Sequence, residues 1–232
     1  MVDMRASHTL SLLAAPVALA QSLTSSKRGL VYVDSKDAST DDKIWDSNSD
    51  LTWYYNYGAS PTAVYTGSDL EFVPMLWGAT AGNTDTSFLD TVTGLIKGGA
   101  AIKYVLGFNE PDGCISGGAC VDAVTAADTW IREIEPLKKL GVKLGAPAVT
   151  GSPNGFNWLQ NWFTACDGGC TPDFIPVHWY GNFEGLASHV GQVNATYENM
   201  TMWVTEYACA GCSLADSQSF YNESASFFDR IE

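Results

Sequence analysis

From about residue 29 onward, short apolar runs alternate with longer amphipathic stretches. The runs Gly29–Val33, Thr52–Gly58, Phe72–Trp77, Lys103–Asn109, Val142–Val149, Asp173–Tyr180 and Thr201–Tyr207 are rich in β-branched and aromatic residues, the composition of strands. Between them, Thr86–Lys97 and Ala123–Leu140 carry helical periodicity and end at Gly98 and Gly141, where helix C-caps are expected. Ala126, Trp130, Ile134 and Leu137 fall on one helical face, which is predicted to pack on the sheet. Trp158–Ala165 and Ser217–Ile231 are further helix candidates. Alternating β and α units predict an α/β fold with a parallel sheet. No Gly-rich phosphate loop follows the first strand, which argues against a dinucleotide-binding fold and toward a (β/α)8 TIM-type barrel. Such a barrel needs one more strand after the helix at Ser217–Ile231, and the sequence ends at Glu232. The expectation is therefore a barrel lacking its last strand, with a gap between the first and seventh.

Composition narrows the setting. Apolar residues make up 46% and charged residues 16%, the balance of a globular chain. The N-terminus has Arg5 ahead of the apolar stretch Thr9–Ala20, which ends in Ala18-Leu19-Ala20. This pattern predicts a secretory signal over residues 1–20, cleaved before Gln21, with 21–232 as a single domain. The stretch is too short for a permanent span, so no membrane association is expected after cleavage. Asn194-Ala195-Thr196, Asn199-Met200-Thr201 and Asn222-Glu223-Ser224 are glycosylation sequons that fit the same route. The six cysteines form three sequence-local pairs, Cys114 with Cys120, Cys166 with Cys170 and Cys209 with Cys212. Proximity favours disulfides in those pairs, although the spacings alone leave other connectivities open. Zinc is a competing reading for Cys209 and Cys212, weakened by the lack of a nearby His. The net charge of −14 repels phosphate, so nucleic acid is excluded as a natural partner.

In α/β folds of this class, functional side chains gather at the C-terminal ends of the strands. The fourth candidate strand ends in Asn109-Glu110-Pro111 and the seventh in Thr205-Glu206-Tyr207. Two carboxyl groups across one such site are what glycoside hydrolysis requires, one to protonate the leaving oxygen and one to attack the anomeric carbon. Asn109 is placed to bond a sugar 2-hydroxyl, and His178 and Tyr180 to donate hydrogen bonds to Glu206. Aromatics reach 12% of the chain, which suits stacking on flat sugar faces. Trp77 is the first candidate platform, with Tyr55, Asn56 and Trp179 as further subsite residues. His178 has a second reading as a structural imidazole, and Trp77 as a core residue. Ligand spacing for a metal and a motif for a cofactor are both missing from the sequence, so neither is expected.

The series Lys27-Arg28-Gly29-Leu30, Trp53-Tyr54-Tyr55-Asn56, Val73-Pro74-Met75-Leu76-Trp77-Gly78, Leu106-Gly107-Phe108-Asn109-Glu110-Pro111-Asp112, His178-Trp179-Tyr180-Gly181 and Trp203-Val204-Thr205-Glu206 resembles glycoside hydrolase family 128, the fungal Asl-like catalytic domains of clan A. The resemblance implies a (β/α)8 barrel; with the N-terminal signal pattern, the leading expectation is a secreted, extracellular endo-β-1,3-glucanase, the cell wall being one setting for it. It further implies β-1,3-glucan as substrate, retaining double displacement, Glu110 as acid/base and Glu206 as nucleophile; a β-glucan is the expected partner, and the chain is expected to be a monomer. Two rivals stay open at this stage: a catalytically impaired β-glucan-binding protein, and a hydrolase of another β-glucan linkage.

Overall fold

The computed structural model describes residues 27–36, 38–46, 49–79, 84–115 and 117–231. The predicted secretory segment lies outside them. In chain order the elements are β1 (Gly29–Val31), α1 (Ala38–Asp46), β2 (Trp53–Tyr55), β3 (Glu71–Phe72), α2 (Ser87–Lys97), β4 (Tyr104–Val105), α3 (Ala123–Glu133), β5 (Lys143–Leu144), α4 (Pro153–Cys166), β6 (Phe174–Tyr180), α5 (Phe183–Thr196), β7 (Thr201–Ala208) and α6 (Leu214–Phe228).

All strand pairs are parallel, and they follow chain order. β1 pairs with β2 and β2 with β3, β4 pairs with β5, and β6 pairs with β7. Isolated parallel bridges join these pieces, Met75 with Leu106 and Gly145 with Phe174. Strands β1 to β7 therefore form one consecutive series. No ladder between β7 and β1 occurs among the described residues. Side chains of β2 reach across to β7 instead: the Trp53 and Trp203 rings lie 5.0 Å apart and the Tyr55 hydroxyl donates to the Thr205 carbonyl at 3.2 Å. Arg28, just before β1, reaches Asp50 and also Asp229 beyond α6, the latter at 2.7 Å. The two ends of the described chain are thus tied together.

Prolines shorten several expected elements. Regular pairing in the run Phe72–Trp77 is confined to β3 and resumes only as a bridge at Met75. Pro74 between them has no N–H to offer. Pro147 interrupts the run Val142–Val149 in the same way, leaving β5 and bridges at Gly145 and Ala148. The stretch Ala123–Leu140 is not one helix. It ends as α3 at Glu133 and continues as a 3-10 helix over Glu135–Leu140. Pro136 removes an intrahelical donor and disfavours α geometry at Glu135. Gly141 caps this segment with φ 81°, as expected, whereas Gly98 has φ −76° and the left-handed residue is Gly99 at φ 94°.

Two apolar clusters sandwich the strands. The larger lies between the sheet and the helices, where Ala126, Trp130, Ile134 and Leu137 are all completely buried with Leu159 and Trp162. The smaller lies on the opposite face, where Tyr55, Val73, Met75, Leu106 and Phe174 meet Tyr104 and Trp203. All six cysteines are paired, as Cys114–Cys120, Cys166–Cys170 and Cys209–Cys212. No helix among the described residues is long and apolar enough to cross a membrane.

Candidate active site

Two irregularities in the strands place the candidate carboxylates. Along β7, Trp203 faces the inner cluster and Val204 the helices, so strict alternation would turn Thr205 inward. Instead Val177 pairs with Val204 and His178 with Glu206, leaving Thr205 without a partner on β6. This extra residue, a bulge, hands the inward position to Glu206. On the fourth strand, Val105 and Phe108 both lie on the helix side, while Tyr104 and Leu106 lie inside. The alternation slips at Gly107, where a Cβ would stand 3.0 Å from the Gly145 carbonyl oxygen. Beyond it, Glu110 sits at φ 40°, with its N–H donating to the Ala148 carbonyl at 2.7 Å. A left-handed backbone at a non-glycine residue is uncommon and turns the side chain off the strand's regular line.

These devices bring Glu110, His178 and Glu206 together from three strand ends. One atom from each, a carboxylate oxygen or His178 Nδ1, lies within 4.8 Å of the others. His178 Nδ1 is 3.1 Å from Glu110 Oε1 and 3.5 Å from Glu206 Oε2. The imidazole is fully buried, Glu206 nearly so, and the Glu110 side chain keeps 19% exposure. His178 Nε2 is buried with no partner among the described residues, while Nδ1 shares a hydrogen bond with Glu110 Oε1 in which the Nδ1–H tautomer donates to an ionised carboxylate.

Three tyrosines converge on Glu206. Tyr57 donates to Oε1 at 2.7 Å, Tyr180 to Oε2 at 2.7 Å, and Tyr55 to Oε1 at 3.2 Å. Both oxygens are thereby fixed. Burial, together with the neighbouring carboxylate, raises the phenol pKa of all three above its usual value. They therefore remain O–H donors well into alkaline solution.

The other candidates divide. Trp77 is 41% exposed at the end of the third candidate strand, and its carbonyl accepts the Asn109 N–H at 2.9 Å, one residue before Glu110. Tyr180 is 54% exposed, with its hydroxyl held on Glu206. The Asn109 side chain is buried: Nδ2 donates to the Gly117 carbonyl at 2.8 Å, while Oδ1 has no partner among the described residues. Asn56 is spent on a turn, bonding the Ser60 carbonyl and the Gly58 N–H. Trp179 points to the helix side, where it stacks on His189 with centroids 5.3 Å apart and donates to the Asn182 carbonyl. Neither Asn56 nor Trp179 joins the carboxylate group. Tyr57 was missed by the sequence reading; it lies two residues past the end of β2 with φ 59°, and this left-handed turn brings its hydroxyl to Glu206.

The same trio is the one group of His, Cys, Asp or Glu among the described residues with ligand atoms close enough for a metal ion. Its members come from three separate strand ends, which is why sequence spacing gave no ligand motif.

A family model described as the glycosyl hydrolase catalytic core matches residues 29–232, which include every residue of this site. A crystal structure of a subgroup III curdlan-specific exo-β-1,3-glucanase of family 128 from Blastomyces gilchristii is 29% identical, with a TM-score of 0.70 over 88% of this chain and 85% of that one. The chain belongs to glycoside hydrolase family 128. A subgroup II endo-β-1,3-glucanase of the family from Sorangium cellulosum is also 29% identical, with a TM-score of 0.71 over 88% of this chain and 83% of the other. Alkali-sensitive linkage protein 1 of Schizosaccharomyces pombe is 34% identical over 191 residues, 81% of this chain. The present chain spans about a third of that relative's length. Family 128 membership accounts for the order of motifs from Gly29 to Glu206.

Proposed function

We propose that this family 128 chain is a secreted, retaining endo-β-1,3-glucanase with Glu206 as nucleophile and Glu110 as acid/base. The observation that carries the reading is the approach of the two carboxylates, with one oxygen of each inside a 4.8 Å group. Retaining enzymes hold their carboxyl groups roughly 5–5.5 Å apart, whereas inverting ones need roughly 6.5–9.5 Å to admit a water. The strand order, parallel throughout, supports a (β/α)8-type barrel with the site at the C-terminal strand ends.

In the first step, Glu206 attacks the anomeric carbon while Glu110 gives its proton to the departing glycosidic oxygen. In the second, Glu110 takes a proton from water, which displaces Glu206 with the starting configuration restored. Tyr55, Tyr57 and Tyr180 aim Glu206 and His178 aims Glu110, so little reorganisation accompanies attack. Trp77 and Tyr180 both keep aromatic surface exposed near the strand ends, which suits stacking on sugar rings. The glucanases named above support β-1,3-glucan as the substrate class, and three disulfides support a secretory route.

The test is reducing-sugar release from laminarin, with the β-1,6-glucan pustulan as comparison and Glu206→Gln as control. Laminarin cleavage, pustulan resistance and a loss of about a thousandfold or more in the variant are the expected results. A folded wild type that binds laminari-oligosaccharides and releases nothing would instead make the chain a binding protein.

A further inference from the structure

We propose that the loop closed by the Cys114–Cys120 disulfide is a positioning device for Glu110, so that proton donation depends on a covalent bond outside the carboxylate group. The inference rests on the reading of Glu110 as the acid.

Glu110 adopts a left-handed backbone that an L-residue holds only when its surroundings impose it. Part of the imposition comes from Ala148, which accepts the Glu110 N–H. The rest comes from the loop. The Glu110 carbonyl accepts from Gly113 N–H at 2.9 Å, the Asn109 carbonyl from Ala119 N–H at 2.9 Å, and the Pro111 carbonyl from Val121 N–H at 3.0 Å. Asn109 Nδ2 adds a bond to the Gly117 carbonyl at 2.8 Å. Three consecutive residues, with Glu110 in the middle, therefore hang on Gly113, Gly117, Ala119 and Val121. The disulfide draws the loop shut, with Cα atoms 4.4 Å apart. The closure is tight: a Cβ on Gly118 would lie 2.2 Å from the Gly113 carbonyl oxygen and 2.9 Å from that of Glu110. Asp112 anchors the other side, accepting from Thr150 N–H at 2.9 Å and from the Thr150 hydroxyl.

The other two disulfides lack this relation. Cys166–Cys170 closes the turn between α4 and β6, and Cys209–Cys212 the turn between β7 and α6. Neither loop bonds Asn109, Glu110 or Pro111 among the described residues.

A loosened loop should misplace the acid while leaving the nucleophile alone. Cys114→Ser/Cys120→Ser and Gly118→Ala, the second with its disulfide intact, are compared with wild type on two substrates. Laminarin needs the acid; 2,4-dinitrophenyl β-laminaribioside has a leaving group that departs without a proton. Circular dichroism first establishes that each protein is folded. The expected result is a loss in kcat/KM of about 10- to 100-fold on laminarin, against about twofold or less on the aryl glycoside. Cys166→Ser/Cys170→Ser should match wild type on both. Equal losses on the two substrates, or no loss on laminarin, overturn the inference and leave the glucanase reading standing. A wild type inactive on both substrates defeats that reading, and the inference with it.

Discussion

His178 stands opposite Glu206 because β7 carries one residue more than β6 at that point. Its Nδ1 lies between the two carboxylates, 3.1 Å from one and 3.5 Å from the other. A group in that position both separates two like charges and fixes where they point. His178→Leu is expected to lower kcat by about 10- to 100-fold, the effect of losing a hydrogen bond to a charged group. His178→Asn, which can return an N–H near the Nδ1 position, should recover part of it. Equal activity of the two variants on laminarin would remove His178 from the positioning scheme.

The tyrosines that hold Glu206 should rank by their geometry. Tyr57→Phe and Tyr180→Phe each delete a 2.7 Å bond, whereas Tyr55 shares its longer bond with the Thr205 carbonyl. Loss of either short bond should cost about tenfold or more in kcat/KM, and loss of the Tyr55 bond less. Steady-state kinetics on laminarin give the order directly.

The two tryptophans should behave in opposite ways. Trp77→Ala removes an exposed ring at the end of the third candidate strand, so it should raise KM for laminari-oligosaccharides severalfold with the melting temperature unchanged. Trp179→Ala opens space among Gly151, Gly185 and His189, so it should destabilise the fold by about 2–4 kcal/mol. Thermal melts beside oligosaccharide titrations separate the two effects.

Alkaline stability should follow the buried phenols. Desolvation pushes Tyr207 up to about 12, with its ring against Phe220 and Phe228. A pKa raised on folding means stability that is present in full below pH 10, the unfolded value, and drains away as pH rises toward 12. Tyr207→Phe should flatten the fall in melting temperature across that window, where its contribution is of the order of 2 kcal/mol.

Much of the site was legible because it sits at strand ends that the sequence marks with polar residues after apolar runs. Glu110, His178, Tyr180 and Glu206 were all read that way, and the structure brings them together. Tyr57 was not, because it lies past the end of β2, where a left-handed turn rather than strand alternation aims it. Trp179 was credited with a sugar contact beside His178 and Tyr180, although neighbours on a strand point to opposite faces. Its ring lies against Gly185 of α5, where a Cβ would come within 2.2 Å, and α5 itself went unpredicted. The glycine that makes room for the indole, together with Gly191, lowers helix propensity over that segment and hid it. α1 was also missed, being short and carrying a polar sequence over Ala38–Asp46. The bulge at Thr205 and the slip at Gly107 are tertiary events, set by what β6 and β5 present to their neighbours.

The most direct test of the account is to trap the covalent intermediate. Incubation with 2,4-dinitrophenyl 2-deoxy-2-fluoro-β-laminaribioside, followed by peptic digestion and mass spectrometry, should find the fluorinated disaccharide on the peptide containing Glu206. Label on Glu110 instead, or turnover of laminarin with inverted product and no adduct, would contradict the double displacement proposed for this site.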